Sequence, residues 1–348
     1  MRESKKEKRL LIIGSILLAF VACIFGFIIF IKTVDGKEIT KGDYVVSITA
    51  KGKPVDLVWN KKNGEKIYIL SDLFYLPSLE IVSYNGDDEK VVIPKRFFLI
   101  PVVSISDSAF KNNGSIKEVV IPSTVRAICS MAFCNCTALE EVKIKGELYY
   151  IKDYAFYSCS SITELNIPYS HYLNIGKSAF ENCSSLETVN FNNGNVGIGT
   201  NGFYDCCKLE TVQGLEGDMA VTSDAFDNTA LLENYDGDFF AIGSCLLKYL
   251  GNDRDVAIPE NITRIAYEAF IDMDIDSIHM PSAVTFLALN FRSDNETLKN
   301  KVKVYYGIVD EFDVYILSDV RDNVVLVAPA ESEVIDFAKR NDIEYIAE

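Results

Sequence analysis

The sequence predicts a solenoid of parallel β-sheet coils, about 23 residues per coil, with N- and C-terminal caps and one transmembrane helix in front. Three observations carry that expectation. An Ala-Phe or Gly-Phe dipeptide recurs with its Phe at 110, 133, 156, 180, 203 and 226, at intervals of 23 or 24 residues. Apolar residues follow each Phe at matched offsets. Near the N-terminus, Leu10 to Ile31 is a run of 22 residues without one charged side chain.

That run is the first element. At about 1.5 Å per residue it spans roughly 33 Å as a helix, close to the hydrocarbon thickness of a bilayer. It shows no polar face, as a buried globular helix of that length would. Arg2, Lys5, Lys6, Lys8 and Arg9 precede it. The positive-inside rule then expects residues 1–9 in the cytoplasm, 10–31 as a single-pass anchor in the plasma membrane, and the rest outside. A signal peptide has a shorter apolar stretch. Cleavage with lipidation at Cys23 would leave Ile24 to Ile31 as an exposed apolar tail. Small residues at four-residue spacing, Ser15, Ala19 and Cys23, are common by chance in such helices and do not establish a helix pair.

Charge divides at the same boundary. The chain has 34 Lys and Arg against 50 Asp and Glu, net -16. The first 31 residues carry +3, which leaves -19 for the remainder. Such acidity argues against nucleic acid, whose phosphates require Lys or Arg. Residues 32–90 read as an extracellular stalk and N-terminal cap, with strand-like alternation at Lys66-Ile67-Tyr68-Ile69-Leu70.

The repeats occupy about residues 91–285. Six residues after each Phe stand Ile116, Leu139, Ile162, Leu186, Leu209 and Leu232. Val119, Val142, Leu165, Val189 and Val212 come nine residues after, and Ile121, Ile144, Ile167 and Phe191 eleven after. The last two positions alternate with polar residues, as in Glu141-Val142-Lys143-Ile144, the signature of a strand with one buried face. One such strand per coil, stacked at about 4.8 Å, makes a parallel sheet. The Phe rings would stack on the other side of each coil, and the coils share a core that none could bury alone.

The segments IKDYAFYSCSSITELNIP (Ile151–Pro168) and IGKSAFENCSSLETVNF (Ile175–Phe191) resemble BspA-like leucine-rich repeats. The fold implied is a leucine-rich repeat solenoid. Val91–Phe110 is similar to the family's entry repeat, and Tyr84–Pro94 is echoed by Tyr249–Pro259, which opens a second block near residue 236. The tail from Val324 is similar to the family's closing strand-helix-strand and places a C-terminal cap at 286–348. The unit around Phe226 departs from the pattern: it lacks the Cys and runs into Asp236-Gly237-Asp238, a turn signal.

Candidate chemistry is sparse. Cys136, Cys159, Cys183 and Cys206 each stand three residues after a Phe. Parallel side chains on adjacent coils are poorly aimed for disulfides, so packed thiols are expected. Cys134 and Cys207 are expected nearer the surface. Two histidines and no paired Cys-x-x-Cys set speak against zinc. Asp272-Met-Asp-Ile-Asp276 begins like a calcium loop but has Ser277 and Ala283 where Gly and Glu are required. Asn-x-Ser/Thr occurs at Asn113, Asn135, Asn182, Asn261 and Asn295, partly through the repeat's own turn. No catalytic motif, metal site or cofactor is expected.

The outer face of the sheet is the binding candidate. Glu118, Glu141, Glu164, Thr188 and Thr211 form one expected row; Val120, Lys143, Asn166, Asn190 and Gln213 form the next. Ordered arrays on a rigid sheet are how solenoids hold extended partners. Tyr149, Tyr150, Tyr154, Tyr157, Tyr169 and Tyr172 cluster nearby, where interface anchors and coil filling are both open readings. The expected function is non-catalytic binding of an extracellular protein or glycan. The resemblance implies a bacterial surface protein with adhesive roles toward a host or neighbouring cell. Two alternatives stand beside it: a ligand-binding subunit of a membrane complex, and an extracellular hydrolase with an unrecognised site.

Overall fold

The structure, a computed structural model, describes residues 38–49, 57–60, 66–69, 78–97, 99–215, 221–266, 268–281, 284, 286–287, 301–306 and 324–348. The expected anchor at Leu10–Ile31 and the cytoplasmic residues before it lie outside these. Among the described residues no helix is long and apolar enough to cross a membrane.

The chain divides into two compact units. The first holds residues up to 86 together with 94–106. In it, Glu38–Lys41 pairs antiparallel with Tyr44–Thr49, which pairs antiparallel with Ser78–Tyr84. Ile100–Ile105 then joins Ser78–Tyr84 in parallel. Lys66–Ile69 is a strand, as its alternation predicts, paired antiparallel with Leu57–Asn60.

The second unit is the solenoid, residues 87–93 and 107–348. Four coils of its first block have both a front strand and a shorter back strand. The front strands are Lys90–Val92, Glu118–Ile121, Glu141–Ile144, Glu164–Ile167, Thr188–Gly194 and Thr211–Leu215. The back strands Ala127–Ile128, Tyr150–Ile151, Leu173–Ile175 and Val196–Ile198 pair in parallel without interruption.

A third side closes each coil, and its chemistry explains the Ala-Phe repeat. Each Phe amide donates to the carbonyl of the small residue before the next Phe: Phe110 to Ala132, Phe133 to Ala155, Phe156 to Ala179, Phe180 to Gly202 and Phe203 to Ala225, at 2.7–2.9 Å. The six rings stack with centroids 4.7–5.3 Å apart and planes within 3–12° of parallel. All six are fully buried. Each turn also contains left-handed residues, among them Asn112, Asn135, Asn182, Asn201 and Asn228, with φ from 56° to 62°. Asn tolerates that conformation better than most residues, which accounts for its recurrence there.

The cysteine thiols form an interior ladder. Cys136, Cys159, Cys183 and Cys206 each donate S–H to the Phe carbonyl of the preceding coil at 3.1–3.3 Å. The described cysteines are free thiols. Burial pushes the Cys136 thiol up to about 12 and those of Cys159 and Cys183 well above the usual range. The two flanking cysteines separate: Cys207 is exposed, whereas Cys134 is buried, contrary to the expectation that both lie near the surface. Cys134 follows Phe133 directly, inside the turn, and burial raises its pKa as well.

At Phe226 the repeat changes. Thr229 takes the Cys place, and its hydroxyl donates to the Phe226 carbonyl at 2.6 Å. The same oxygen caps the short helix Ala230–Glu233. The second block then opens with the antiparallel pair Phe239–Ile242 and Cys245–Tyr249. Its parallel front sheet runs Asp255–Ala257, Ser277–Met280, Val302–Tyr306, Val324–Ala328 and Tyr345–Ala347. The helix Glu333–Arg340 closes the end, capped by Ser332 with Val334, Ile335, Phe337 and Ala338 buried. This is the strand-helix-strand the tail predicts.

Candidate functional site: the front sheet

The front sheet presents its outward residues in register. Glu118 stands beside Glu141, and Val120 beside Lys143. Further along, Glu164, Thr188 and Thr211 align, as do Asn166, Asn190 and Gln213. All nine expected binding residues therefore lie in two rows on the front strands. The rows are produced by the two-residue strand period: buried Val119, Val142, Leu165 and Val189 hold the alternate positions inward.

The rows are joined sideways, but in two separate groups. Lys143 reaches Glu118 at 2.8 Å and Glu141 at 2.7 Å, and Lys90 reaches Glu118 at 2.9 Å. Hydrogen bonds from Lys143 and then Lys90 hold the Glu118 carboxyl below its usual pKa, and the bonds to Glu118 and then Glu141 raise that of Lys143. In the second group the Asn166 amide donates to Glu164 at 2.8 Å, and the Asn190 amide donates to Asn166 at 2.9 Å.

Between these groups the sheet is interrupted. Lys90–Val92, Glu118–Ile121 and Glu141–Ile144 form one three-stranded sheet; Glu164–Ile167, Thr188–Gly194 and Thr211–Leu215 form another. A cleft of about 450 Å³ lies at the seam, lined by Glu140–Lys145 on one coil and Thr163, Glu164 and Asn166 on the next. Glu141 and Glu164 are consecutive in their row here, and like charges opposite one another destabilise a strand pair. Lys143 turns back toward Glu118 and Glu141, and Asn166 is engaged with Glu164 and Asn190. Pro168, at the strand's end, has no amide to offer the preceding coil.

Sequence reasoning placed the rows but not the seam, because every coil keeps the same apolar spacing across it. Its only sequence trace is the Glu-Glu succession with a proline after the second strand. Sequence also left the tyrosines unsorted. Tyr150, Tyr169 and Tyr172 are exposed at 47%, 51% and 47%, whereas Tyr149, Tyr154 and Tyr157 are half-buried. Tyr149 lies under the Arg126 guanidinium, 5.8 Å from its ring centre, and Tyr169 meets His171 edge-on.

The acidic triplet near residue 274 has a plain structural partner. Arg254 makes two hydrogen bonds to Asp276 at 2.7 and 2.8 Å and a further one to Asp274. On the second block, Asp255 accepts from the Ser277 hydroxyl and contacts His279 Nε2 at 2.9 Å. The imidazole stacks on Tyr305 with centroids 4.5 Å apart. Among the described residues no cluster of three or more His, Cys, Asp or Glu could hold a metal ion.

A family model for the BspA type leucine rich repeat region matches in six copies over residues 103–233 and 198–299, more than half of the chain. The chain belongs to the BspA-type leucine-rich repeat family. No curated protein matches it. Among solved structures, a leucine-rich repeat protein of Treponema pallidum is 24% identical, covering 43% of this chain and 81% of its own, with a TM-score of 0.35. One from Bacteroides ovatus is 17% identical over 83% of this chain and 70% of its own, TM-score 0.37. The pneumococcal vaccine antigen PcpA is 14% identical over 90% and 99%, TM-score 0.36. For this family the repeat itself is the assigned feature, and the stacked coils described above are its physical form.

Proposed function

We propose that the front sheet is a binding surface for an extracellular macromolecule, a protein or glycan on a host or neighbouring cell, and that the chain performs no catalysis. In this reading Leu10–Ile31 anchors the chain in the plasma membrane with the solenoid outside. The observation that carries the proposal is the pair of in-register rows through Glu118, Glu141, Lys143, Glu164, Asn166, Thr188, Asn190, Thr211 and Gln213. Their backbones are fixed by parallel pairing within each three-stranded sheet, and the side chains of Glu118, Glu141 and Lys143 and of Glu164, Asn166 and Asn190 hold one another, which lowers the ordering cost for a partner. Membership in the leucine-rich repeat family supports a binding role.

The test is binding of the purified chain to an array of matrix proteins, glycans and whole cells, repeated with Glu141→Lys and Glu164→Lys together. Reversing two charges at the centre of the face should weaken a genuine front-sheet ligand at least tenfold. A ligand retained at full affinity places the site elsewhere. Absence of binding across the array favours a structural subunit of a membrane complex.

A further inference from the structure

Three exposed tyrosines gather where two adjacent coils turn from front to back. The front strands Glu141–Ile144 and Glu164–Ile167 lead into loops that return to the back strands Tyr150–Ile151 and Leu173–Ile175. Tyr150 stands beside Asn174, and Ile151 beside Ile175. Ile151, Leu173 and Ile175 are fully buried, so strand alternation turns Tyr150, Asn174 and Tyr172 outward. With strands about 4.8 Å apart and two residues of offset, Tyr150 and Tyr172 are roughly 8 Å apart along the backbone surface. Tyr169 opens the same loop and meets the His171 ring edge-on at 5.1 Å.

The loop beneath these rings is fastened to both neighbouring coils. Buried Ser170 donates its hydroxyl to Leu148 O at 2.7 Å and accepts the Tyr172 amide at 3.2 Å. The His171 amide donates to Glu147 Oε1 at 2.8 Å, and its ring Nδ1 lies 2.9 Å from the same oxygen. From the following coil the Asn195 amide donates to His171 O at 3.3 Å. Backbone and then side-chain bonds from His171 hold the Glu147 carboxyl below its usual range, so it stands at the rim as an ionised acceptor. Among the described residues no hydrogen bond engages the hydroxyls of Tyr150, Tyr169 and Tyr172, or Glu147 Oε2. Folding gains little from rings left half in water, whereas a ligand would find them already ordered.

The size and chemistry of the patch select the occupant. A tyrosine buries roughly 150–250 Å² when fully covered, so three at about half exposure offer about 300 Å². A stable protein partner covers about 800 Å² on each side. A pyranose matches the smaller figure: one face of C–H groups packs on an aromatic ring, and its hydroxyls pair with a carboxylate and with phenol hydroxyls. The Glu147 carboxylate and the net charge of -16 repel sulfated and sialylated sugars. We infer that Tyr150, Tyr169 and Tyr172, with Glu147, form a binding site for a neutral saccharide, separate from the front-sheet rows. It stands independently of the front-sheet reading.

The probes are neutral hexasaccharides of β-linked glucose, β-linked galactose and α-linked mannose, with a sulfated hexasaccharide for comparison, titrated into the full chain by calorimetry. At least one neutral probe should bind with Kd of about 1 mM or tighter, and the sulfated one about tenfold more weakly. Tyr150→Ala and Tyr172→Ala should each weaken binding about tenfold, while Tyr150→Phe and Tyr172→Phe keep most of it, because stacking needs the ring. Glu147→Gln should narrow the gap between neutral and sulfated probes. On the native chain, the bound saccharide should slow nitration of Tyr150 and Tyr172 by tetranitromethane but not that of Tyr345, which is also exposed. The inference is overturned if no neutral probe binds, if the sulfated one binds best, or if the alanine variants or the nitration pattern show no change. It is overturned equally if those variants lose a protein ligand of the array and no saccharide binds. Glu141→Lys with Glu164→Lys should leave saccharide binding unchanged; its loss there would place the sugar on the front sheet and remove the separate site.

Discussion

Replacing Phe180 by Ala removes the centre of the ring ladder. Phe180 is fully buried and stacked on both sides, 5.1 Å from Phe156 and 5.1 Å from Phe203, each pair 3° from parallel. Truncating a buried Phe costs about 3–5 kcal/mol. Each aromatic pair contributes roughly 0.5–1.5 kcal/mol beyond its burial. With two pairs lost and little freedom for the coils to collapse inward, Phe180→Ala should fall near the upper end, about 5 kcal/mol. Stability of a whole domain is only about 5–15 kcal/mol, so the variant will be close to unfolding. Phe226 provides the control: it is equally buried but stacks on Phe203 alone, at 5.3 Å. Phe226→Ala should cost about 1 kcal/mol less, by the one pair. The assay is denaturant unfolding followed by far-ultraviolet circular dichroism, with the midpoint and slope compared among the three chains. Hydrogen exchange should rise first in the coils of Phe156 and Phe203, because each coil contacts only its neighbours. A loss below about 2 kcal/mol at Phe180, or a loss no larger than at Phe226, would refute stacking as the main support of the ladder.

The remaining predictions concern the side of the coils that sequence marked with Cys. In the native chain at pH 8, iodoacetamide should modify Cys207 and spare Cys136, Cys159 and Cys183; mass spectrometry that finds Cys159 alkylated before Cys207 contradicts the buried ladder. The folded Cys136 thiol titrates at about 12 against an ordinary 9.0, so its contribution is complete below pH 9 and is lost as pH rises toward 12. The stability gap between the native chain and Cys136→Ala should therefore be constant from pH 6 to about 9 and shrink above it, measured by thermal unfolding. Thr229→Ala removes a helix cap and a buried hydroxyl hydrogen bond, for a loss of about 1–2 kcal/mol by the same denaturation assay, and Thr229→Ser should recover most of it.

The seam shows why some of the front sheet was readable and some was not. Spacing alone located Glu141 and Glu164 on the outer face, because a strand repeats every two residues and the apolar partners mark the inward positions. Whether those strands pair depends on interactions between coils. There the choice of Lys143 for Glu118 and Glu141, and of Asn166 for Glu164 and Asn190, leaves nothing to bridge the two glutamates. Tyr169 and Tyr172 illustrate the same limit, since an aromatic residue in a loop carries no periodic signal of its direction. Cys134 was misplaced because its neighbour in sequence is a buried ladder ring and the turn is tight enough to bury both.

The 23-residue recurrence was enough to predict the solenoid, the stacked rings and the thiol ladder. Each follows from one coil's own residues repeated, and repetition in sequence becomes translation in space. The division of the front sheet and the Arg254 clasp on Asp274 and Asp276 arise from pairs of residues 20 or more positions apart. Those pairings are set by hydrogen-bond geometry and charge between coils, which only the folded arrangement decides.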